Sequence, residues 1–374
     1  MPGFHHELLV VSAIPDDTHM DRALALAAQG RGRTSPNPMV GAVVVTADGI
    51  VVGEGFHARA GGDHAEIRAL AAAGPAARGS TLYCTLEPCC HHGRTSPCAP
   101  RIVAAGVERV VVAMVDPHPR VRGGGLAYLR AHGVRVDVGM RQAAAEQINE
   151  AFVIWVALGR PFVTMKIATS LDGRIAARPG TRTPVTAEPA VRAVHAQRAV
   201  VDAVGVGSTT LLVDDPLLTV RGVARAGPLT RVVFDRRLRT PPTARIFGTL
   251  STGPVVIVTT ERAASARPGD VSRLAAAGAD VEALVRGDVC EALQRLGARQ
   301  ITTLVVEGGT TIHRAAWTAG VVDRVQLFIA QSNIGEDGVG WLAGHGLSLA
   351  DLKALRVRVL GPDLQVEGDV YRDH

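Results

Sequence analysis

The sequence predicts an α/β protein of two domains in series, and three observations carry that expectation. The chain has 374 residues, more than one hydrophobic core ordinarily serves, so two cores of common domain size are expected. Short β-branched runs at 81–85, 109–115, 162–168, 202–206 and 303–306 alternate with helix-patterned segments, and such alternation reads as strands layered with helices. A helical run over 141–158 meets the breaker Gly159-Arg160-Pro161, which places a boundary near residue 148 and predicts domains of 1–148 and 149–374.

Composition narrows the class. With 47% hydrophobic and 20% charged residues, the chain reads as an ordinary soluble globular protein. No apolar run approaches a membrane span, and the N-terminus lacks a basic region followed by an apolar core. A cytoplasmic protein without membrane partners is expected. Four of the five cysteines fall between Cys84 and Cys98, which suits a reduced compartment and a metal better than a disulfide framework. The net charge of +5 favours anions, yet no dense basic run points to nucleic acid. Lys166 and Lys353 are the only lysines. Lys353 reads as a surface residue, whereas Lys166 lies in an apolar strand, where a compact ammonium has a special use.

In the first domain, residues 17–28 read as a helix with Met20, Leu24 and Ala27 on one face. The rigid loop Thr34-Ser35-Pro36-Asn37-Pro38 leads to a strand over 42–46, and Asp48-Gly49 turns it into a return strand over 50–55. Asn37 by itself reads as a turn residue. Asp63 suits a helix cap, with Ile67, Leu70 and Ala71 on the apolar face and Gly74 as the stop. Ser96 and Pro97 read as N-cap and first residue of a helix over 98–105, closed by Gly106. A helix over 124–131 and a strand over 134–138 complete the layering. Cys84 reads as a buried strand thiol.

The chemistry gathers between Asp63 and Cys98. His64-Ala65-Glu66 and Glu87-Pro88-Cys89 with Cys98 offer one imidazole and two thiols for a zinc ion, and a carboxylate that need not be a ligand. Catalytic zinc keeps three protein ligands and leaves the fourth position to water, whose pKa falls to about 7. Zinc deaminases use this arrangement, with the glutamate of His-x-Glu as proton shuttle. Glu66, two residues from His64 on a helix, points elsewhere than the metal. Asp63 and Glu66 also read as a capping box, which alone accounts for the glutamate. The gap from Cys89 to Cys98 is long for a zinc deaminase, and the inserted loop carries His91, His92 and Arg94, a set suited to an anionic substrate. Cys90 is a spare thiol able to compete as a ligand.

On His-Ala-Glu followed by Glu-Pro-Cys and a distant second cysteine, the chain resembles the bifunctional riboflavin-biosynthesis deaminase/reductase family over nearly its whole length. The resemblance implies a cytidine-deaminase-like α/β/α domain followed by a dihydrofolate-reductase-like α/β domain, with zinc and NADPH as cofactors. It implies His64, Cys89 and Cys98 as metal ligands, Glu66 and Lys166 as catalytic, and a phosphorylated pyrimidine as substrate. By the same resemblance Asn37, His57, His91, Arg94, Arg198, Leu218, Arg221 and Glu307 bind substrate, and Thr210, Asp214, Gly309, Thr310 and Thr311 bind the cofactor. A homo-oligomer, dimer or tetramer, is expected.

In the second domain, a strand over 162–168 delivers Lys166, a helix over 188–198 ends at Arg198, and residues 207–221 read as a loop. No Gly-x-Gly-x-x-Gly occurs, so a Rossmann fingerprint is not indicated. Glu307-Gly308-Gly309-Thr310-Thr311, between a strand and a helix over 312–319, is the substitute. Taken alone, those glycines read as a tight turn. The chain departs from the family here: Arg182-Thr183-Pro184-Val185-Thr186 stands where the resemblance implies Ser-x-Trp-Ile-Thr, so an aromatic is missing from the cofactor wall. Arg236 replaces a small polar residue and His118 an asparagine. Three rivals follow: a nucleic-acid deaminase, a deaminase with a degenerate reductase domain kept for assembly, and a binding protein whose metal is structural.

Overall fold

The computed structural model describes residues 16–91, 96–341 and 349–370. The chain divides into two compact units after Val153.

The first unit contains strands β1 (Gly41–Val45), β2 (Val51–Phe56), β3 (Thr81–Leu86), β4 (Arg109–Met114) and β5 (Arg135–Val138) in the order β2-β1-β3-β4-β5. β1 is antiparallel to β2 and β3, while β3, β4 and β5 run parallel. The unit's helices are α1 (Asp16–Ala28), α2 (Ala65–Ala73), α3 (Cys98–Ala104), α4 (Gly124–Ala131) and α5 (Gln142–Ile148), and α6 (Glu150–Leu158) runs across the division. α1 packs with α5, and α2, α3 and α4 form a second group. The central strand β1 is buried at every residue, as a strand covered on both faces must be. Met20, Val43, Val111 and Leu129 lie in its core.

Several expected boundaries shift. His64, not Asp63, is the N-cap of α2, with extended backbone and no side-chain cap, so the capping-box account of Glu66 falls away. Pro97 is the N-cap of α3 and Ser96 lies outside it; Cys98 still opens the helix. The single run expected over 141–158 breaks at Asn149. Its side-chain oxygen accepts from Met39 N at 2.8 Å and its amide donates to Met39 O at 2.9 Å. Two side-chain bonds to distant main chain outweigh one residue's helix propensity.

In the second unit, β6 (Phe162–Thr169), β7 (Arg174–Ala176), β8 (Ala203–Gly207), β9 (Thr230–Phe234), β10 (Val255–Thr260), β11 (Ala279–Leu284), β12 (Thr303–Gly308), β13 (Arg324–Ile329), β14 (Val339–Gly340), β15 (Leu352–Leu360) and β16 (Asp363–Val370) follow one another along the chain. Nine of them form a sheet in the order β11-β10-β9-β8-β12-β6-β13-β16-β15. The first seven run parallel, and β16 and β15 are antiparallel additions. The helices are α7 (Glu188–Arg198), α8 (Ser208–Asp214), α9 (Glu261–Ala266), α10 (Pro268–Ala276), α11 (Val289–Ala298) and α12 (Thr310–Thr318). α8 corrects the expected loop over 207–221: Ser208 to Asp214 is helical, with Leu211 buried in the core beneath it. From β8 the chain steps outward to β11, then returns to insert β12 between β8 and β6. Such a reversal opens a crevice at the carboxyl ends of the strands, where open α/β sheets bind ligands. Among the described residues, no helix is long and apolar enough to cross a membrane.

Candidate functional site

In the first unit three segments converge. His64 caps α2, Cys89 follows β3, and Cys98 opens α3. His64 Nδ1 lies 3.2 Å from Cys98 Sγ and 3.6 Å from Cys89 Sγ, and the three potential ligand atoms all lie within 4.8 Å of one another. Cys98 N donates to Cys89 Sγ at 3.4 Å. The hydrogen bond from the Cys98 thiol, against the cost of burial and with help from His64, pulls the Cys89 thiol down to about 4. One imidazole and two sulfurs are a donor set matched to zinc, and no fourth ligand joins them among the described residues. Three ligands leave an open position, the mark of a catalytic rather than a structural zinc. Cys90 is half-buried and outside this group.

Glu66 is buried beside the cluster and shares a hydrogen bond with Cys98. Burial pushes its carboxyl above the usual range, the Cys89 charge adds to this, and His64 opposes it. Asn37 and His57 complete the wall. The His57 Nδ1 proton points at Asp63 O, 3.1 Å away, which leaves Nε2 to accept from Asn37 Nδ2 at 3.1 Å. Burial holds the His57 pKa below its ordinary value, so the imidazole is neutral and fixes the Asn37 amide. His91 is half-buried, with Nδ1 unbonded. Arg94 and His92 lie outside the described residues.

Glu87 went unassigned in the sequence reading. Its buried carboxylate accepts from the main-chain N–H groups of Asp116, Gly123, Gly125 and Leu126 at 2.9–3.3 Å. It therefore fastens the start of α4 to the segment carrying Cys89. Gly125 is obligatory there, because a Cβ would sit 1.8 Å from Pro88 O. The signal in sequence was the run Gly123-Gly124-Gly125, legible only once its partner is known.

In the second unit, β6 carries Lys166 and its neighbour β12 carries Glu307, with Val306 paired to Met165. Burial lowers the Lys166 pKa, Glu307 raises it and Arg198 lowers it further; its ammonium stands 5.4 Å from the Phe328 ring centre. Arg198 grips Glu307 through Nε at 2.6 Å and Nη2 at 2.5 Å, and its Nη1 donates to Thr219 O at 2.9 Å. Burial raises the Glu307 pKa, but Arg198 and Lys166 outweigh it and the carboxylate stays ionised. Arg221 is exposed. The Leu218 side chain is buried with Val206 and Val233, and its main chain has φ 53°.

At the β8–β12 crevice the strand β12 runs into the start of α12. Gly309 has φ 93° and caps α12 without a side-chain bond. A Cβ on Gly309 would stand 3.3 Å from Thr210 Oγ1 and 3.6 Å from Gly207 Cα, so the glycine keeps open a space at a helix start whose N–H groups suit phosphate. Thr310 and Thr311 form its first turn, and Asp214, half-buried, ends α8, with its pKa raised by burial against the pull of Arg182. These residues fit NADPH.

A zinc-type deaminase domain followed by a nucleotide-dependent reductase domain defines a bifunctional enzyme. The family model for the cytidine and deoxycytidylate deaminase zinc-binding region matches residues 14–114, and that for the RibD C-terminal domain matches residues 161–366. The chain is 38% identical to riboflavin biosynthesis protein RibD of Aquifex aeolicus, covering 94% of this chain and 97% of that one. It is 39% identical to the protein of that name from Escherichia coli, covering 93% and 98%. Acinetobacter baumannii RibD superposes with a TM-score of 0.84 at 34% identity, covering 96% of this chain and 99% of that one. A diaminohydroxyphosphoribosylaminopyrimidine deaminase/5-amino-6-(5-phosphoribosylamino)uracil reductase from Thermotoga maritima gives 0.81 at 33%, covering 95% and 98%. The chain belongs to the RibD family of riboflavin biosynthesis proteins, a deaminase and a reductase in one polypeptide, with zinc and NADPH as cofactors.

Proposed function

We propose that the first domain hydrolytically deaminates 2,5-diamino-6-(5-phosphoribosylamino)pyrimidin-4(3H)-one and that the second reduces the ribosyl chain of the product to ribityl. The observation that carries this is the convergence of His64, Cys89 and Cys98 with the buried Glu66 carboxyl beside Cys98. Those three side chains hold zinc, which when bound polarises water and supplies the nucleophile at neutral pH. Glu66 would accept one proton from the water and pass it to the ring nitrogen, then take the proton of the newly added hydroxyl and pass it to the departing amino group, which leaves as ammonia. Asn37, aimed by His57, orients the pyrimidine, and binding of its anionic side falls to His91 and Arg94.

In the second domain NADPH supplies hydride when bound. Gly309, Thr310, Thr311 and Thr210 seat its phosphates, with Asp214 beside them. Lys166 holds a proton for the sugar oxygen, and Glu307 keeps that ammonium placed. Arg221 takes the substrate phosphate, beside the Leu218 main chain. Arg198, already spent on Glu307 and Thr219, serves as the brace of that carboxylate, not as the principal phosphate grip expected from sequence. The domain boundary lies between 148 and 153, around the break at Asn149. The free state of all five cysteines supports a cytoplasmic setting, and assembly as a homo-oligomer completes the reading.

The test is purified protein given the diaminopyrimidine phosphate, with ammonia and NADPH absorbance followed separately. Both signals, ammonia first, are expected. Ammonia without NADPH consumption would leave only a deaminase, and neither signal would end the assignment.

A further inference from the structure

His195 has no part in the roles above, yet it is buried at 6% exposure within the reductase cluster. It lies on α7 one turn before Arg198. Its Nε2 stands 3.2 Å from Nε and 3.1 Å from Nη2 of Arg221. A guanidinium has only N–H donors, so the ring meets Arg221 with a lone pair on Nε2, which only an uncharged ring has. The Arg221 main-chain N–H points at Nδ1 from 3.2 Å, and the ring also bonds the Thr219 main chain. A protonated ring would have two donors and no acceptor, and would set one cation against another. The contact therefore requires the neutral imidazole.

Two arginines beside one site are thus held differently. Arg198 has the Glu307 carboxylate, whereas Arg221 is exposed and has no carboxylate partner among the described residues. Its Nε and Nη2 are turned to an uncharged acceptor, which fixes the plane of the fork without neutralising it. Such a group is poised for an anion.

We propose that His195 is a positioning residue that, as a neutral hydrogen-bond acceptor, aims the Arg221 guanidinium at the phosphate of the reductase substrate. This rests on the reading of Arg221 as the phosphate ligand. The charged groups around the ring are Arg198 on its own helix, Arg221 on the following segment and Glu307 on β12. β16 also packs on α7 and brings Asp363, which accepts from Ala187 N at the start of the helix. Burial, then the two arginines, keep the ring neutral against the pull of Glu307.

The experiment is steady-state reduction of the deaminated ribosyl phosphate by the full chain with NADPH, from pH 5 to 8. His195→Leu is expected to raise KM for this substrate about tenfold, the worth of one charge-assisted hydrogen bond, with kcat little changed. His195→Gln keeps an acceptor near Nε2 and is expected to restore KM. Towards acid pH the KM of the parent is expected to climb more steeply than that of His195→Gln, the titration of the phosphate itself being common to both. Arg221→Ala should raise KM further, and His195→Leu added to it should raise KM no more. If Arg221→Ala leaves KM alone, the phosphate reading of Arg221 fails. If Arg221→Ala raises KM but His195→Leu does not, or the two effects add, the role of His195 fails. Should His195→Leu not fold, an acid profile of His195→Gln identical to the parent overturns the proposal.

Discussion

In the N-terminal domain the candidate metal ligands and the buried carboxyl beside them come from His64 to Cys98, and a second set of bonds, accepted by Glu87 from four main-chain N–H groups, holds the Cys89 segment in place. In the C-terminal domain the working groups are drawn from Lys166, His195, Arg198, Arg221 and Glu307, brought together by insertion of β12 between β8 and β6. The first site is a compact sulfur and nitrogen cluster with one buried carboxyl. The second is a chain of alternating charges, Lys166 to Glu307 to Arg198, with Arg221 left uncompensated. Chemistry confined to one stretch of chain survives as a motif. Chemistry assembled by sheet order leaves single residues scattered along the sequence, each with an innocent local explanation.

That contrast breaks most sharply where one domain is silenced and the other is not. Glu66→Gln is expected to cut ammonia release by about 10²–10⁴-fold with zinc content unchanged. The same protein should oxidise NADPH normally when given the deaminated substrate; parallel loss of both activities would contradict two independently built sites. Lys166→Ala is the mirror experiment, with reduction down by a factor of the same order and ammonia release spared.

Glu87→Ala probes the clamp. Four buried N–H groups lose their acceptor, and a cost of at least about 3 kcal/mol in the unfolding of the first domain is expected, with weaker zinc retention. Equal zinc affinity in parent and variant would show that Cys89 is placed without it. The smallest effect belongs to the other domain. His313 is buried against Val306 O at 3.1 Å, and burial, with the Lys166 charge, lowers its pKa to about 4 from 6.5. Between those values the unfolded chain binds a proton that the folded ring refuses, so stability rises with pH. The contribution is whole above 6.5 and is lost as pH falls to 4, about 3 kcal/mol in all. Denaturant melts of the second domain should show that slope, and His313→Gln should flatten it.

The misreadings in sequence share one cause. Asn149 reads as mid-helix because its partner, Met39, is far away in the chain. Residues 208–214 read as loop because their short helix is supported by Leu211 buried in the core more than by local propensity. Arg198 reads as the end of a helix, and only the sheet shows that Glu307 is the carboxylate it pairs with.

The amino-acid sequence by itself determined the alternation of strands and helices, the division into two domains and the candidate set of metal ligands. Each rests on periodicity or on ligands held within one short span, and neither needs long-range contacts to be read. Tertiary structure alone decided that Glu87 anchors a distant helix start, that Arg198 is paired and Arg221 is not, and that His195 is a neutral acceptor. Those outcomes depend on which buried polar groups meet, and a buried donor or charge is satisfied only by a partner that the chain brings to it from elsewhere.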